Sequence, residues 1–583
     1  MRIPSRPLIS GILLALTIAA CFALFFRPVE TGDIWWHLKA GAFIWQHHRV
    51  PLWDPFPFAS EHTLWILTQW LGSLGYYMVY ALAGIPGLVV GRAVFFTLLV
   101  LLVVLRLRKS VSLPVNLALG LVFACALATR ALLRPFVFNF LFIQIFLVLL
   151  FLHRRTVSWR KLLILLGSGW IWINIHLGAF MYGVALFGVF WLTAALDVVQ
   201  TPKETLARRR LFQLSVALLV YLALFWITPY GAAGALHPWR TLFQDNYLHF
   251  KEMATSIGEL SAPSGLFSLA YFWFYIFVIL GLIAIGRAKK ERFLYTVLFS
   301  SALAAFLWAR RSNIFFCLVS LYIFSDGASD RPFDLVYWKK YRVVDTILTS
   351  ALVLAFFAVY FLQARAVVYQ DGRYYTKWQP REDRYNLGQT LQFFQKNNIR
   401  GAVFNDDRYG GYLLFYAYPQ LRPFLDSRQL NYAAFDLYHA IRRDPGKIWP
   451  AVSKIYAFRA VLLDAAKPVN RKLIFYFLKN PDWRLVQIFR TTVLFLPRDL
   501  PLIQQPVSLT QFFAKKPSAS PHAPPNLVYN EMADTSMTLF DLGFRQAALQ
   551  QMQEAYQKGI GREQNLIYRR MRQLSGAPSH KKY

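Results

Sequence analysis

The sequence predicts a mainly α-helical, polytopic membrane protein with about eleven transmembrane helices, a C-terminal periplasmic α/β domain and a terminal helical hairpin. Three observations predict this fold. Hydrophobic residues make up 56% of the 583 positions and charged residues only 16%, which is too apolar for a soluble protein of this size. The apolar residues gather into runs of membrane-spanning length. Lysine and arginine are concentrated in every second connection between these runs.

Eleven apolar runs are long enough, or nearly long enough, to cross the ~30 Å hydrocarbon core of a bilayer. The first run is long for a signal peptide and no clear small-residue cleavage site follows it, so we expect it to remain as a helix. The runs lie at about residues 8–26, 87–105, 113–129, 136–152, 162–176, 178–196, 211–228, 267–286, 293–309, 312–326 and 344–363.

The positions of the basic residues explain the formal net charge of +33. With the N-terminus inside, the connections predicted to be cytoplasmic carry 21 Lys and Arg residues, whereas the longer outer connections carry nine. Such an excess in cytoplasmic loops sets the orientation of membrane proteins and attracts anionic headgroups. The charge therefore predicts membrane lipids as partners, and nucleic acid is not needed to account for it.

The stretch Trp70 to Ala83 is apolar enough to be a further spanning helix. If it crossed the membrane, the basic cluster that begins at Arg106 would lie outside and the charge alternation would break. We therefore predict a helix that lies in the membrane interface, within one long outer loop from 27 to 86.

An odd number of spans places everything after residue 363 on the outer side. The sequence predicts a transmembrane domain at 1–363, an α/β domain at 364–500, a Pro- and Ser-rich linker at 501–526 and a helical tail at 527–583. In the tail, Leu539 to Ala548 resembles half of a tetratricopeptide-like hairpin, and an amphipathic hairpin that caps the α/β domain is an equally good interpretation. In the α/β domain, helices are predicted at Tyr385–Asn397, Phe435–Arg443 and Arg471–Leu478, and strands at Gly401–Phe404, Ala460–Leu463, Leu485–Phe489 and Thr492–Leu496.

Polar residues gather at the predicted outer ends of the helices. Ionisable groups are costly within a membrane and mark functional sites. The first outer loop contributes mainly acidic groups and the later helix ends mainly basic ones, as a site for an anionic, membrane-anchored substrate requires. The candidates are Asp33, His37 and Asp54 in the first loop, followed by Arg130, Arg134, Asn174, His176, Glu259, Arg310 and Arg311.

Several short motifs follow one another along the chain, namely Gly-Asp-Ile-Trp-Trp-His-Leu at 32–38, Pro51 to Phe56, Arg134-Pro135, Asn174 to Gly178, Thr228 to Gly231, Asn405 to Asp407 with Gly410-Gly411-Tyr412, and Asp426 to Arg428. Together they resemble the GT-C superfamily of integral-membrane glycosyltransferases. The resemblance covers residues 8 to about 435 and is strongest in the first loop, towards little-characterised bacterial members. More distantly it extends to protein mannosyltransferases, lipid A aminoarabinose transferases and oligosaccharyltransferase catalytic subunits.

The resemblance implies a bacterial inner-membrane enzyme that takes a sugar from a polyprenyl-phosphate carrier. Its acceptor would be a lipid, a glycan or a protein at the periplasmic face. The family's catalytic acid of the first outer loop corresponds to Asp33, which would accept the proton of the attacking group. Asp54 would be a second carboxylate or a metal ligand. The loop has no Asp-x-Asp, and this departure from the family pattern leaves metal dependence open; no other cofactor is implied.

Each candidate residue also has a structural interpretation. Asp33 can cap a helix that begins at Ile34, and Asp54 can stabilise a turn beside Pro55. The His37 side chain can form a hydrogen bond either with a phosphate group of the substrate or with a neighbouring loop. Arg134 can extend to lipid headgroups, and Asn174 with His176 can form a buried hydrogen-bonded pair. For Asn405, Asp406, Asp407, Asp426 and Arg428, a structural role in a turn beside the Gly410-Gly411 pair is favoured over acceptor binding.

Two other classes of function use the same basic outer surface. A transporter or flippase of lipid-linked sugars would be expected to have internal repeats with paired broken helices, and the sequence contains no such duplication. A non-catalytic membrane assembly subunit would recruit partners through the helical tail. The large exported domain favours an enzyme that handles an acceptor.

Overall fold

The computed structural model describes residues 6–27, 29, 31–56, 58–59, 63–243, 261–267, 271–330, 350, 387–428, 430–489 and 491–503, together with Leu539 and Ala548. By its internal contacts the chain divides into two compact units. The membrane unit comprises Met1–Thr31, Ala40–Leu52 and Ile66–Leu362, and the α/β unit comprises Gly32–Lys39, Trp53–Trp65 and Gln363–Tyr583. Two pieces of the first loop thus belong to the α/β unit.

The described part of the membrane unit is helical. The helices are α1 (Arg6–Phe25), α2 (Asp33–His47), α3 (Trp70–Leu107), α4 (Leu113–Ala128), α5 (Asn139–Arg155), α6 (Trp159–Ile175), α7 (Phe180–Gln200), α8 (Thr205–Ala223), α9 (Gly231–Phe243), α10 (Phe272–Arg287), α11 (Arg292–Trp308) and α12 (Asn313–Asp330). Helix α2 is divided between the two units, because its first half belongs to the α/β unit.

The helices bear out the prediction of a mainly helical membrane protein. Among the described residues, four helical stretches are long and apolar enough to cross a membrane, namely Trp70–Leu107, Pro135–Arg155, Phe180–Gln200 and Thr205–Trp226. Ser10–Phe25, Leu113–Ala128, Phe272–Arg287 and Arg292–Trp308 are shorter apolar helices. The total of eleven spans and their orientation stay predictions, and almost all of the run at 344–363 lies outside the described residues.

Helix α3 is broken where its sequence cannot continue a regular helix. Gly84 has a φ of 60° and a ψ of −155°, a conformation that only glycine adopts readily. Pro86 follows and has no N–H to donate to the preceding turn. The segment Trp70–Ala83 is therefore a separate helical piece, as predicted, and its position in the membrane interface stays a prediction.

Aromatic side chains fill the core of the membrane unit around Tyr221. The Tyr221 ring is fully buried and lies 5.0 Å from the Phe180 ring and 5.5 Å from the Phe146 ring, measured between centroids. Gly169 and Gly183 leave room for it, since a Cβ at Gly169 would approach the ring to 2.6 Å. Helices α5, α6, α7 and α8 therefore meet at one close contact.

The α/β unit contains a five-stranded mixed sheet with the strand order β2-β1-β3-β5-β4. The central strand β1 (Gly401–Asn405) is parallel to β2 (Leu421–Pro423) and β3 (Ala460–Asp464). Strand β5 (Thr492–Pro497) runs antiparallel to β3 and to β4 (Trp483–Phe489). The helices are α13 (Gly388–Lys396), α14 (Asp407–Tyr416), α15 (Tyr432–Arg443), α16 (Pro445–Tyr456) and α17 (Arg471–Lys479).

All predicted strands and helices of this domain have counterparts in the structure, because each is an apolar run of the expected period. The pattern of apolar residues in the sequence did not predict α14, α16 or β2. Helix α14 contains Gly410-Gly411, which disfavours a helix, α16 contains Pro450, and β2 has only three residues. Of the predicted tail, only Leu539 and Ala548 are described, and both are buried in the core of this unit. The tetratricopeptide-like hairpin otherwise lies outside the described residues.

Candidate functional site

Asp33 is the first residue of α2, and the start of this helix is held by packing within the α/β unit. Trp35 is buried, and its ring lies 5.3 Å from the rings of Tyr412 and Tyr416 and 5.9 Å from that of Phe415. Residues two apart on a helix point to nearly opposite sides. The aromatic contact therefore fixes α2 on the side away from the half-buried Asp33.

Backbone contacts between α2 and α14 are close because both segments use glycine. A Cβ on Gly411 would lie 2.9 Å from the carbonyl oxygen of Gly32, and a Cβ on Gly32 would lie 3.1 Å from that of Arg408. Gly410, on the neighbouring position, packs against the backbone of Leu425. The Gly-Gly pair thus lies inside a helix, next to the turn at Asp406, and permits close approach.

We expect Gly411→Ala to destabilise the α/β unit by about 1–3 kcal/mol, because the added methyl group must displace the Gly32 backbone. The displacement reaches the residue next to Asp33. The midpoint of thermal unfolding of the purified protein measures the effect. Gly446→Ala, in helix α16 with no atom within 4 Å of the added Cβ, is the matched control. Equal behaviour of the two variants would contradict the contact.

A buried ion-pair group holds the second piece of the loop. Arg428 Nη1 lies 2.9 Å from Asp54 Oδ1, and Arg428 Nη2 lies 2.7 Å from Asp426 Oδ2. The Arg428 side chain is 2% exposed and that of Asp54 is fully buried. The guanidinium also lies 4.5 Å from the Trp65 ring and 5.7 Å from the Phe56 ring. We call these five residues the Arg428 clamp.

The neighbouring carboxylates keep the Arg428 guanidinium in its charged form. Burial by itself lowers the pKa of Arg428, but the carboxylates of Asp426 and Asp54 outweigh it and hold the pKa above its ordinary value. Asp54 also accepts a hydrogen bond from the backbone N–H of Phe56 at 3.3 Å. Its carboxylate is thus occupied by Arg428 and by its own turn.

Further contacts join the loop to the sheet-bearing part of the α/β unit. Asn431 Nδ2 donates to the carbonyl of Ala59 at 2.6 Å, and the hydroxyl of Tyr418 donates to the carbonyl of Pro55 at 3.2 Å. The ammonium group of Lys39 lies 5.4 Å from the Tyr418 ring, and burial lowers the pKa of Lys39. These two pieces of the first outer loop are therefore packed into the α/β unit.

His37 belongs to an aromatic series that leads from α2 to the clamp. The His37 side chain is buried and its ring stacks on Trp36 at 3.5 Å. The Trp36 ring lies 6.3 Å from Trp65, which in turn lies against Arg428. His37 and Asp54 thus belong to one packed group in the α/β unit, and Asp33 precedes His37 by four residues on α2.

The acidic residues after β1 form a second cluster with Lys467. Lys467 Nζ pairs with Asp406 and lies 2.7 Å from Asp407 Oδ1, and Asn470 Nδ2 donates to Asp406 Oδ2 at 3.0 Å. Burial and then the neighbouring Asp407 raise the pKa of Asp406 to about 6, although Lys467 acts against them. Asp406 also accepts from the N–H of Arg408 and caps α14. These contacts favour the structural interpretation of the motif.

The remaining candidates lie in the membrane unit. Arg134 Nε donates to Thr31 Oγ1 at 3.2 Å, and the carbonyl of Arg134 accepts from the Tyr76 hydroxyl at 3.1 Å. Asn174 Oδ1 accepts from the Trp70 indole at 2.9 Å. The Arg134 backbone and the Asn174 side chain therefore both contact the first half of α3.

His176 and the arginine pair lie at the same end of the helices as Arg134. The His176 ring is 5.6 Å from that of Phe136. Arg310 and Arg311 precede α12, whose first residue, Asn313, donates to Thr129 Oγ1 at 2.9 Å. Arg130 follows Thr129 directly and is buried. Arg130, Arg134, Arg310 and Arg311, which we call the outer arginines, thus come from neighbouring helix ends.

The structure therefore divides the predicted site residues into two sets, one in each unit, and Glu259 lies outside the described residues. Within the described ranges, no group of three or more His, Cys, Asp or Glu residues is arranged to hold a metal ion. The engagement of Asp54 with Arg428 does not fit a metal-ligand role. Sequence reasoning missed the link between Asp54 and Arg428, for which the chain carries no local signal.

No family model matches the chain, and no curated protein matches its sequence. Among solved structures, the chain is similar to ArnT from Cupriavidus metallidurans bound to undecaprenyl phosphate. That match has a TM-score of 0.50 and 14% identity, and it covers 86% of this chain and 100% of that one. The AglB oligosaccharyltransferase from Archaeoglobus fulgidus aligns with a TM-score of 0.46, 14% identity and coverage of 78% and 69%. The GT-C resemblance inferred from the motifs is confirmed at the level of the fold.

Proposed function

We propose that this protein, which has the GT-C fold, is a membrane glycosyltransferase that transfers a sugar from a polyprenyl-phosphate donor to a lipid, glycan or protein acceptor. The reaction takes place at the periplasmic face of the bacterial inner membrane. The observation that carries the proposal is Asp33, a half-buried carboxylate at the start of α2 whose helix is anchored by Trp35 and by the Gly32–Gly411 contact. A carboxylate held in this way suits proton transfer.

In the proposed reaction, Asp33 accepts the proton of the acceptor hydroxyl or amine while that group attacks the anomeric carbon. The new bond forms as the bond from the anomeric carbon to the phosphate oxygen breaks, so configuration inverts. The polyprenyl phosphate leaves as an anion and needs no strong general acid, because the outer arginines stabilise its charge. Undecaprenyl phosphate is the molecule bound in the ArnT structure, which supports this class of carrier.

The other candidates take supporting roles in the proposal. Asn174, His176 and His37 bind polar groups of the substrates, and Glu259 is kept as a further candidate. Asp54, predicted as a second catalytic carboxylate, is assigned a positioning role, because its carboxylate is fully buried against Arg428.

Analysis of membrane lipids tests the function. A strain lacking the protein should accumulate a polyprenyl-phosphate sugar, which mass spectrometry of the lipid extract identifies. Purified wild-type protein in nanodiscs, given this extract and membranes as acceptor, should consume the lipid-linked sugar and release an equal amount of polyprenyl phosphate. Movement of the sugar lipid across a bilayer without release of polyprenyl phosphate would instead identify a flippase and overturn the proposal.

A further inference from the structure

Tyr230, from the Thr228 to Gly231 motif, joins the two segments on either side of the loop piece Trp53–Trp65. Its hydroxyl donates to the carbonyl of Pro51 at 2.9 Å and accepts from the backbone N–H of Leu67 at 3.0 Å. Pro51 and Leu67 are both buried, and all three residues belong to the membrane unit. A single hydroxyl group, used as donor and as acceptor, therefore connects the segment that follows α2 with the segment that precedes α3.

The turn before α9 fixes the position of Tyr230. Gly231 has a φ of 51°, a conformation that favours glycine, and its N–H donates to the carbonyl of Thr228 at 3.0 Å. Gly234 lies close to the tyrosine, because a Cβ at this position would be 3.0 Å from the Cβ of Tyr230. The residue types of this motif therefore suit a role in holding one side chain in place.

The second half of α2 packs against the first piece of α3, which comprises Trp70–Ala83. A Cβ on Gly41 would overlap the carbonyl oxygen of Ser73 and would lie 2.5 Å from the Cβ of Tyr77. The segment that Tyr230 holds follows directly after α2. Two contacts within the membrane unit, one at Gly41 and one at Tyr230, therefore hold α2 and the segment after it beside the start of α3.

The same piece of α3 contacts two residues that the proposed function assigns to substrate binding. Tyr76 donates to the carbonyl of Arg134 at 3.1 Å. The Trp70 indole donates to the side chain of Asn174 at 2.9 Å. Neither hydrogen bond involves Tyr230, so loss of the tyrosine hydroxyl should leave both of them in place.

The break in α3 makes these lateral contacts important for the position of its first piece. Gly84 and Pro86 interrupt the helix, so the piece is not held in line by the rest of α3. Helix α2 begins with Asp33 and is joined to this piece through Gly41 and, after its end, through Tyr230. A displacement of about 1 Å can lower a catalysed rate about 10²-fold, so such contacts can affect the rate from outside the site of the chemistry.

We propose that Tyr230 is a positioning residue of the transferase. By joining Pro51 to Leu67, it holds the segment after α2 against the start of α3, and thereby fixes the helix that begins with Asp33. The O–H of Tyr230 is donated to a backbone carbonyl, so its role is to position another group and not to transfer a proton. This inference rests on the proposed function, in which Asp33 is the base.

Tyr230→Phe tests the proposal, because it removes the bridging hydroxyl and keeps the ring. With full-length protein in nanodiscs and the lipid extract of the deletion strain as donor, kcat per folded protein should fall about 10–100-fold, as expected when a catalytic group is displaced. KM for the lipid-linked sugar should stay within about twofold, since Arg134 and Asn174 retain their own contacts. The control is Tyr275→Phe, which removes a hydroxyl that donates to the carbonyl of Leu266 at 3.2 Å in the same unit and should leave kcat and KM unchanged.

A double variant distinguishes positioning from a loss of stability. If Tyr230 acts through Asp33, Tyr230→Phe should slow the wild type but cause no further loss of rate in Asp33→Asn. A purely structural effect would lower the amount of folded protein and reduce the rate by the same factor in both backgrounds. An unchanged kcat in Tyr230→Phe, or the same fold loss in both backgrounds, would overturn the proposal.

Hydrogen exchange at Leu67 tests the bridge independently of activity. In Tyr230→Phe the Leu67 N–H loses its acceptor, so its exchange, measured by mass spectrometry of peptides, should become about tenfold faster, whereas Tyr275→Phe should not change it. Unchanged exchange in Tyr230→Phe would overturn the positioning role and leave the proposed function standing. A wild type that transfers no sugar would instead overturn the proposed function, and with it the role of Tyr230 in that reaction, even if exchange at Leu67 is faster.

Discussion

Asp33→Asn should lower the rate of sugar transfer by about 10²–10⁴-fold, the usual contribution of a general base. The amide keeps the size and hydrogen-bonding shape of the carboxylate but cannot accept a proton from the acceptor. The loss of a negative charge from the first turn of α2 should cost only about 0.3–1 kcal/mol of stability. The measurement is the release of polyprenyl phosphate by purified variant in nanodiscs, alongside its thermal unfolding.

Asp436→Asn is the matched control for this prediction. Asp436 is an exposed carboxylate on α15 in the same unit, and its replacement should leave the rate unchanged. Asp33→Glu keeps the charge but moves it, so a partial rate is expected. If Asp33→Asn folds and transfers sugar at the wild-type rate, Asp33 has no catalytic role and the proposed mechanism fails.

Arg428→Met should destabilise the α/β unit by about 3–5 kcal/mol, because it leaves the carboxylates of Asp54 and Asp426 buried without a countercharge. It should also release the 53–65 piece of the loop from the rest of the unit. The readouts are the midpoint of thermal unfolding and the rate of limited proteolysis in this loop.

Arg422→Met is the control, since Arg422 is an exposed arginine of the same unit that also lies against an aromatic ring, that of Phe58. Asp54→Asn combined with Arg428→Met should restore part of the lost stability, because one uncompensated charge is then removed. Arg428→Lys should retain more stability than Arg428→Met. A loss no larger than that of Arg422→Met, or no recovery in the double variant, would show that the clamp is not a coupled ion-pair group.

The contact with Arg428 allows a positioning role of Asp54 to be distinguished from a catalytic one. If Asp54 acts only through Arg428, then Asp54→Asn should lower stability and activity together. A variant of a residue that touches the substrate would instead lose activity with only a small loss of stability, as expected for Asp33→Asn. Comparison of the two aspartates in one assay therefore distinguishes their roles.

Local patterns in the sequence determined much of this fold. Apolar runs and their flanking charges predicted the helical membrane part, since a bilayer requires long apolar segments with self-satisfied backbones. Short apolar runs predicted β1, β3, β4 and β5. The polar, tryptophan-rich segment around Asp33 was identified because such residues are unusual after a spanning helix.

The tertiary structure alone decided how the first loop is built. Asp54 and Arg428 are separated by 374 positions, and neither flanking sequence indicates the other. Gly410-Gly411 disfavours a helix by propensity, yet it lies within α14, because close packing against Gly32 and Leu425 outweighs the low helix propensity of glycine. Sequence periodicity records which face of a segment is buried, whereas its partner across the fold is set by long-range packing, and so the loop's place in the α/β unit emerged only from the structure.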